Sequence, residues 1–164
     1  MRSRSVHIHM NPRHAIPLVL LSFALAAGGA VASVPSQTPD PSITDGSLQR
    51  KLDGARASWK AGRLHSYRYE VRRQCFCPPQ KTRVVVVRGD RARAFPSGMN
   101  DVATVPRLFR LIQRAIDDGV VELNVSYGSR GVPRSIFRDG SANVADDEFG
   151  YAVSRFTSLR PRAR

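Results

Sequence analysis

The spacing of apolar residues changes register several times along the chain, and each change marks an element. Over 47–64 Leu48, Leu52, Ala55 and Trp59 recur at helical spacing, with Gln49, Arg50, Lys51, Arg56 and Lys60 filling the other side. After Gly62 the helical period gives way to strict alternation. Over 66–77 Tyr67, Tyr69, Val71, Arg73, Cys75 and Cys77 alternate with Arg68, Glu70, Arg72, Gln74 and Phe76, which predicts a strand with both cysteines on the Tyr67 face. Pro78-Pro79 ends it, because proline offers no ladder donor. The consecutive valines within 82–88 predict a strand buried on nearly both faces. Gly89-Asp90 turns the chain into a short strand over 91–95, and a loop follows over 96–103.

Thr104 as N-cap and Pro106 in the first turn open a second helix over 106–118. Leu108, Phe109, Ile112, Ala115 and Ile116 form its apolar stripe, and Gly119 stops it. Val121, Leu123, Val125 and Tyr127 alternate with polar residues and predict a half-buried strand. The turn Gly128-Ser129-Arg130-Gly131 leads into a strand over 132–139. A last strand over 149–156 carries Phe149, Tyr151 and Val153 on one face. The expected fold is α+β, a two-layer sandwich of an antiparallel sheet and two helices in the order αβββ-αβββ. That order suggests an internal duplication, which no residue-level repeat supports.

Outside this pattern, residues 1–32 read as an export signal. Arg2, Arg4 and Arg13 make a basic head, 16–27 is apolar, and Ala30-Val31-Ala32 before Ser33 fits a cleavage site. Met10 is an alternative start that changes only the head. The apolar run ends short of the ~20 residues a membrane span needs, and no cysteine lies near the cleavage point to carry a lipid. The expected destination is therefore periplasmic or secreted, without a lipid anchor. Residues 33–44, with Pro35, Pro39 and Pro41 among small polar residues, read as a flexible linker. A single domain is expected over 45–159, followed by a basic tail over 160–164.

Formal charge is +13, and loss of the three signal arginines leaves 23 basic residues against 13 acidic. Such an excess favours anionic partners such as lipopolysaccharide, cell-wall polymers, an acidic protein or nucleic acid; an envelope protein or anionic cell-surface polymer is the expected one, with no specific nucleic acid. The near absence of lysine, with only Lys51, Lys60 and Lys81, fits a compositional bias toward arginine better than a designed patch.

Three groups of residues bear on chemistry. Cys75-Phe76-Cys77 places two thiols two residues apart, about 6.6 Å in extended chain. Disulfides reach at most about 6.8 Å between Cα atoms, so a bond calls for a local kink. Closing so short a loop contributes only about 1.6 kcal/mol in the chain-entropy treatment, and weakly stabilised bonds are easily reduced. A structural clip, a redox dithiol helped by Arg72 and Arg73, and a metal site remain open, the clip being the usual fate of a cysteine pair in an exported chain. A metal site needs more ligands, and His65 is the only histidine outside 1–32. Asp146-Asp147-Glu148 could bind calcium, but pairing with arginines fits this chain better. Tyr67, Tyr69, Tyr127, Tyr151, Phe149 and Phe156 could form a stacking platform for nucleic acid or glycan. Their shared register with the valines points instead to the core. No hydrolase triad, Cys-His pair, phosphate-cradling loop or dinucleotide fingerprint is present, and no cofactor is implied. The sequon Asn124-Val125-Ser126 lies inside a predicted strand and is set aside.

A set of residues spread over 55–153 resembles the bacterial family known as domain of unknown function 6174. It comprises Trp59, Ser66-Tyr67 with Tyr69, Cys75-Phe76-Cys77, the valine strand, Thr104-Val105, Leu108-Phe109, Ile112 and Ala115-Ile116. Val125 with Tyr127, Gly131 with Pro133, Ile136 and Asp146-Asp147-Glu148 complete it. The chain departs from the family pattern at Gly128, where an acidic residue is expected. The resemblance implies the fold and export, its members being short exported proteins or lipoproteins, and leaves activity open. The expected function is a non-catalytic domain that binds another envelope component. The alternative is a thiol–disulfide redox protein using Cys75 and Cys77.

Overall fold

The computed structural model describes residues 37–160 apart from Pro96 and Ala145. The expected signal and cleavage site, and most of the basic tail, lie outside the described residues. Helices α1 (Pro41–Thr44) and α2 (Ser47–Ala61) precede a meander of β1 (Tyr67–Cys75), β2 (Arg83–Arg88) and β3 (Arg91–Ala94). Helix α3 (Val105–Asp117) then leads into a second meander, β4 (Glu122–Tyr127), β5 (Pro133–Asp139) and β6 (Phe149–Ser158). Single 3-10 turns lie at Asn100–Val102 and Ser129–Gly131.

The six strands form one antiparallel sheet in the order β3-β2-β1-β6-β5-β4, so the meanders join through β1 and β6. Alternation along β1 decides which face is buried. Tyr67, Tyr69 and Val71 are inside, while Arg68 and Arg72 are exposed. Val85 and Val87, Leu123, Ile136, and Tyr151 with Val153 join them in one core with Leu48, Leu52 and Ala55 of α2 and the stripe of α3. The sequence-predicted α+β class and all six strands are present. The valine strand differs from its expectation, because Val84 on the opposite face is exposed. The aromatic set belongs to this core, with Tyr67, Tyr69 and Tyr151 buried and Tyr127, Phe149 and Phe156 packed against it. The two strand tyrosines also fix α3. The Tyr67 hydroxyl accepts the Val105 N–H at 3.1 Å, and the Tyr69 hydroxyl donates to the Val102 carbonyl.

The described part of the expected linker, 37–44, is built into the domain, and α1 changes the expected helix order. Asp40 is buried at 8% exposure. Its carboxylate caps α1 by accepting the Ser42 N–H at 2.8 Å and reaches across the fold to accept the Leu123 N–H at 2.9 Å. The Asp40 N–H donates to the Val120 carbonyl, also at 2.9 Å. Composition misreads this stretch because one buried carboxylate, rather than an apolar stripe, ties it down.

Candidate functional site

The sheet ends at Cys75, opposite Phe149 of β6. Beyond it the chain kinks, and the Cys77 N–H donates to the Cys75 carbonyl at 2.8 Å, closing a three-residue turn. The turn brings the cysteine Cα atoms to 5.2 Å and the pair is disulfide-bonded. Cys77 therefore leaves the strand register that periodicity predicted for it. Phe76 sits at the apex with 80% of its surface exposed, the most exposed large apolar side chain among the described residues. Pro78 and Pro79 follow, and Gln80 folds back to donate to the Pro78 carbonyl at 2.8 Å. A shallow groove beside Phe76 is lined by Arg72, Arg73, Gln74, Cys75, Cys77 and the two prolines. Phe149 is the partner of Cys75 across the sheet, and the guanidinium carbons of Arg73 and Arg138 lie 5.7 and 5.1 Å from its ring centroid.

His65 lies before the other end of β1 and pairs with Asp90 at 2.7 Å, so the structure does not bring it to the cysteines. The carboxylates Asp146, Asp147 and Glu148 sit in the turn before β6. Asp147 folds over Gly140 beside Arg138, and one carboxylate oxygen is buried without a hydrogen-bond partner. Burial first, then Asp139 and Glu148 nearby, push its carboxyl above the usual range, and Arg138 offsets this only in part. The expected arginine pairing is not made. None of the three carboxylates has an ion pair among the described residues. Nor do three metal-ligating side chains converge anywhere among the described residues. Burial also raises Tyr67 and Tyr127 to about 12, which keeps both as neutral phenols.

Sequence reasoning missed a second cleft. It lies between the start of β5 and the end of β6 and gathers Arg130, Arg134 and Arg155 with Ser129 and Ser154. No spacing rule connects these residues. The one sequence signal is Arg130 inside a Gly-Ser-Arg-Gly turn, which reads as loop chemistry alone.

Fold and site together define a small α+β domain with a disulfide-clipped, aromatic-tipped hairpin. The family described as "Family of unknown function (DUF6174)" matches residues 51–158, and the chain belongs to this family. The match begins within α2 and ends on the last residue of β6, so it covers both meanders. No curated protein and no solved structure matches the chain.

Proposed function

We infer that this protein is an exported, non-catalytic domain of the cell envelope that binds another envelope component through the tip between β1 and β2. The observation that carries this reading is Phe76, a large apolar side chain 80% exposed on a turn closed by a disulfide. Aromatic side chains dominate binding energy at interfaces, and a clipped turn loses little entropy when it docks. Arg72, Arg73, Lys81 and Arg83 are exposed around the tip, so the complementary surface is an apolar pocket rimmed by carboxylates on a protein partner. Export rests on the basic head, apolar run and Ala-x-Ala site within 1–32. No helix among the described residues is long and apolar enough to cross a membrane. In an envelope fraction, the mature chain is expected to be retained through a high-salt wash. Phe76→Ala lowers retention about tenfold, the loss of one interface hot spot, and Val144→Ala, at another exposed apolar position, leaves it unchanged. Retention that salt alone releases contradicts the reading.

A second reading is favoured by one observation. Cys77 is exposed, and Arg72 and Arg73 line the same groove as both cysteines, which would favour a thiolate in the reduced pair. The corresponding function is thiol–disulfide exchange in the envelope. An insulin-reduction assay with turnover above free dithiol supports it, and turnover at the free-thiol rate removes it.

A further inference from the structure

The notch between β5 and β6 has the features of a built anion site, and it owes nothing to the tip. Pairing of these strands runs only from Ser135 opposite Ala152 to Arg138 opposite Phe149. β5 begins at Pro133, which has no N–H to extend the ladder. β6 continues to Ser158, but beyond Ala152 it pairs with β1 alone. The strands therefore part, and Ser129, Arg130 and Arg134 face Ser154, Arg155 and Phe156 across the gap.

Three arginines and two serines are among the residues that line this notch, and no acidic residue is. Arg155 is paired, to Glu70 of the adjacent strand at 3.2 Å. Arg130 and Arg134 take part in no ion pair among the described residues. One carboxylate beside three arginines leaves an excess of positive charge, which an anion in the notch would offset.

The backbone holds these arginines in place at a cost. Arg130 has φ 60° and Arg155 φ 49°, left-handed conformations that glycine takes freely and other L residues do not. Arg155 lies in the bulge that shifts register between β1 and β6. The Arg130 turn packs tightly on α2: at the next residue, Gly131, a Cβ would sit 2.0 Å from the Ala55 carbonyl oxygen. At Gly128 a Cβ would come within 2.9 Å of the Arg134 side chain, which lies over the bare backbone. Strained residues cluster at functional sites, and two of them line this cleft.

We propose that the β5–β6 notch binds a phosphate-type oxyanion, held by Arg130, Arg134 and Arg155. Three guanidinium groups supply more positive charge than a single carboxylate neutralises, and their planar donors match the several oxygens of a phosphate. The site lies away from the clipped tip. Ser154 pairs with Glu70 and Phe149 with Cys75, so the two sites are separated by five residues of β1, about 17 Å.

The test is titration of the mature full chain with inorganic phosphate, and separately with acetate, at constant ionic strength set with chloride. Arg130→Gly and Arg155→Gly are the decisive variants, because glycine relieves the left-handed strain; Arg155→Gly also leaves Glu70 without its partner, so melting temperature is measured for both. Each is expected to weaken phosphate binding about tenfold, the loss of one charge-assisted contact. Arg134→Gln should do the same. Acetate is expected to bind more weakly than phosphate by about tenfold or more. Phosphate affinity that is no greater than acetate affinity, or that survives both glycine variants, overturns the proposal. Salt-retained binding through Phe76 is read separately, so failure of either reading leaves the other standing.

Discussion

Asp40 and Asp147 are both loop carboxylates, yet their surroundings push them in opposite directions. Burial by itself would raise Asp40, but the N–H of Leu123 and both donors of Ser42 outweigh it and hold the carboxyl below its ordinary 3.8. A carboxyl depressed in the fold stabilises it above the unfolded value, and that contribution is lost as pH falls through the folded one. Asp40→Ala is expected to cost about 2 kcal/mol at neutral pH, combining a lost cap with an unsatisfied Leu123 N–H. In urea titrations this deficit should shrink as pH drops below 3.8; a deficit constant with pH contradicts the account. Asp147 has the reverse sign. Its raised carboxyl favours folding below 3.8, and that advantage is lost as pH rises through the folded value. Asp147→Asn should therefore raise melting temperature at neutral pH and leave it unchanged in acid. An equal shift at both pH values would place the effect in packing instead.

At the scale of elements, periodicity located both long helices and five of the six strands, because each of these buries one face in a single core, and the Gly89-Asp90 turn located the short β3. Three features were not legible, and each depends on contacts between distant residues. Helix α1 exists because Asp40 reaches Leu123, which composition cannot register. Cys77 leaves the strand face because the chain reverses at Phe76, a kink that the short Cys-x-Cys spacing required without specifying its form. The anion notch arises where β5 and β6 part, and left-handed arginines at 130 and 155 have no sequence signature. The clipped turn itself is a local element. Cys75→Ser with Cys77→Ser should leave the sheet folded and lower unfolding free energy by about 1.6 kcal/mol or less, since the closed loop is so short. Loss of cooperative unfolding in that double variant would show that the clip supports the whole meander.

In the whole molecule, the two meanders look like a repeat in sequence order but not in space. Corresponding strands, such as β1 and β4, lie three places apart in an antiparallel sheet and so run in opposite directions. Superposing one meander on the other turns the sheet over, which would carry their helices to opposite faces. Yet α2 and α3 share one core and join through Gln49 and Gln113 at 2.9 Å. The arrangement is therefore one six-stranded sheet whose two long helices pack into a single core. It leaves the strand ends free to display two separate surfaces, the aromatic tip and the arginine notch. The tip carries the central claim, and the most direct test places a photo-crosslinking benzophenone amino acid at position 76, in the native envelope, with the same probe at Val144 as control. A discrete adduct from position 76, absent from position 144 and diminished when both cysteines are serine, is the predicted result. No adduct from position 76, or the same adducts from both positions, would contradict it.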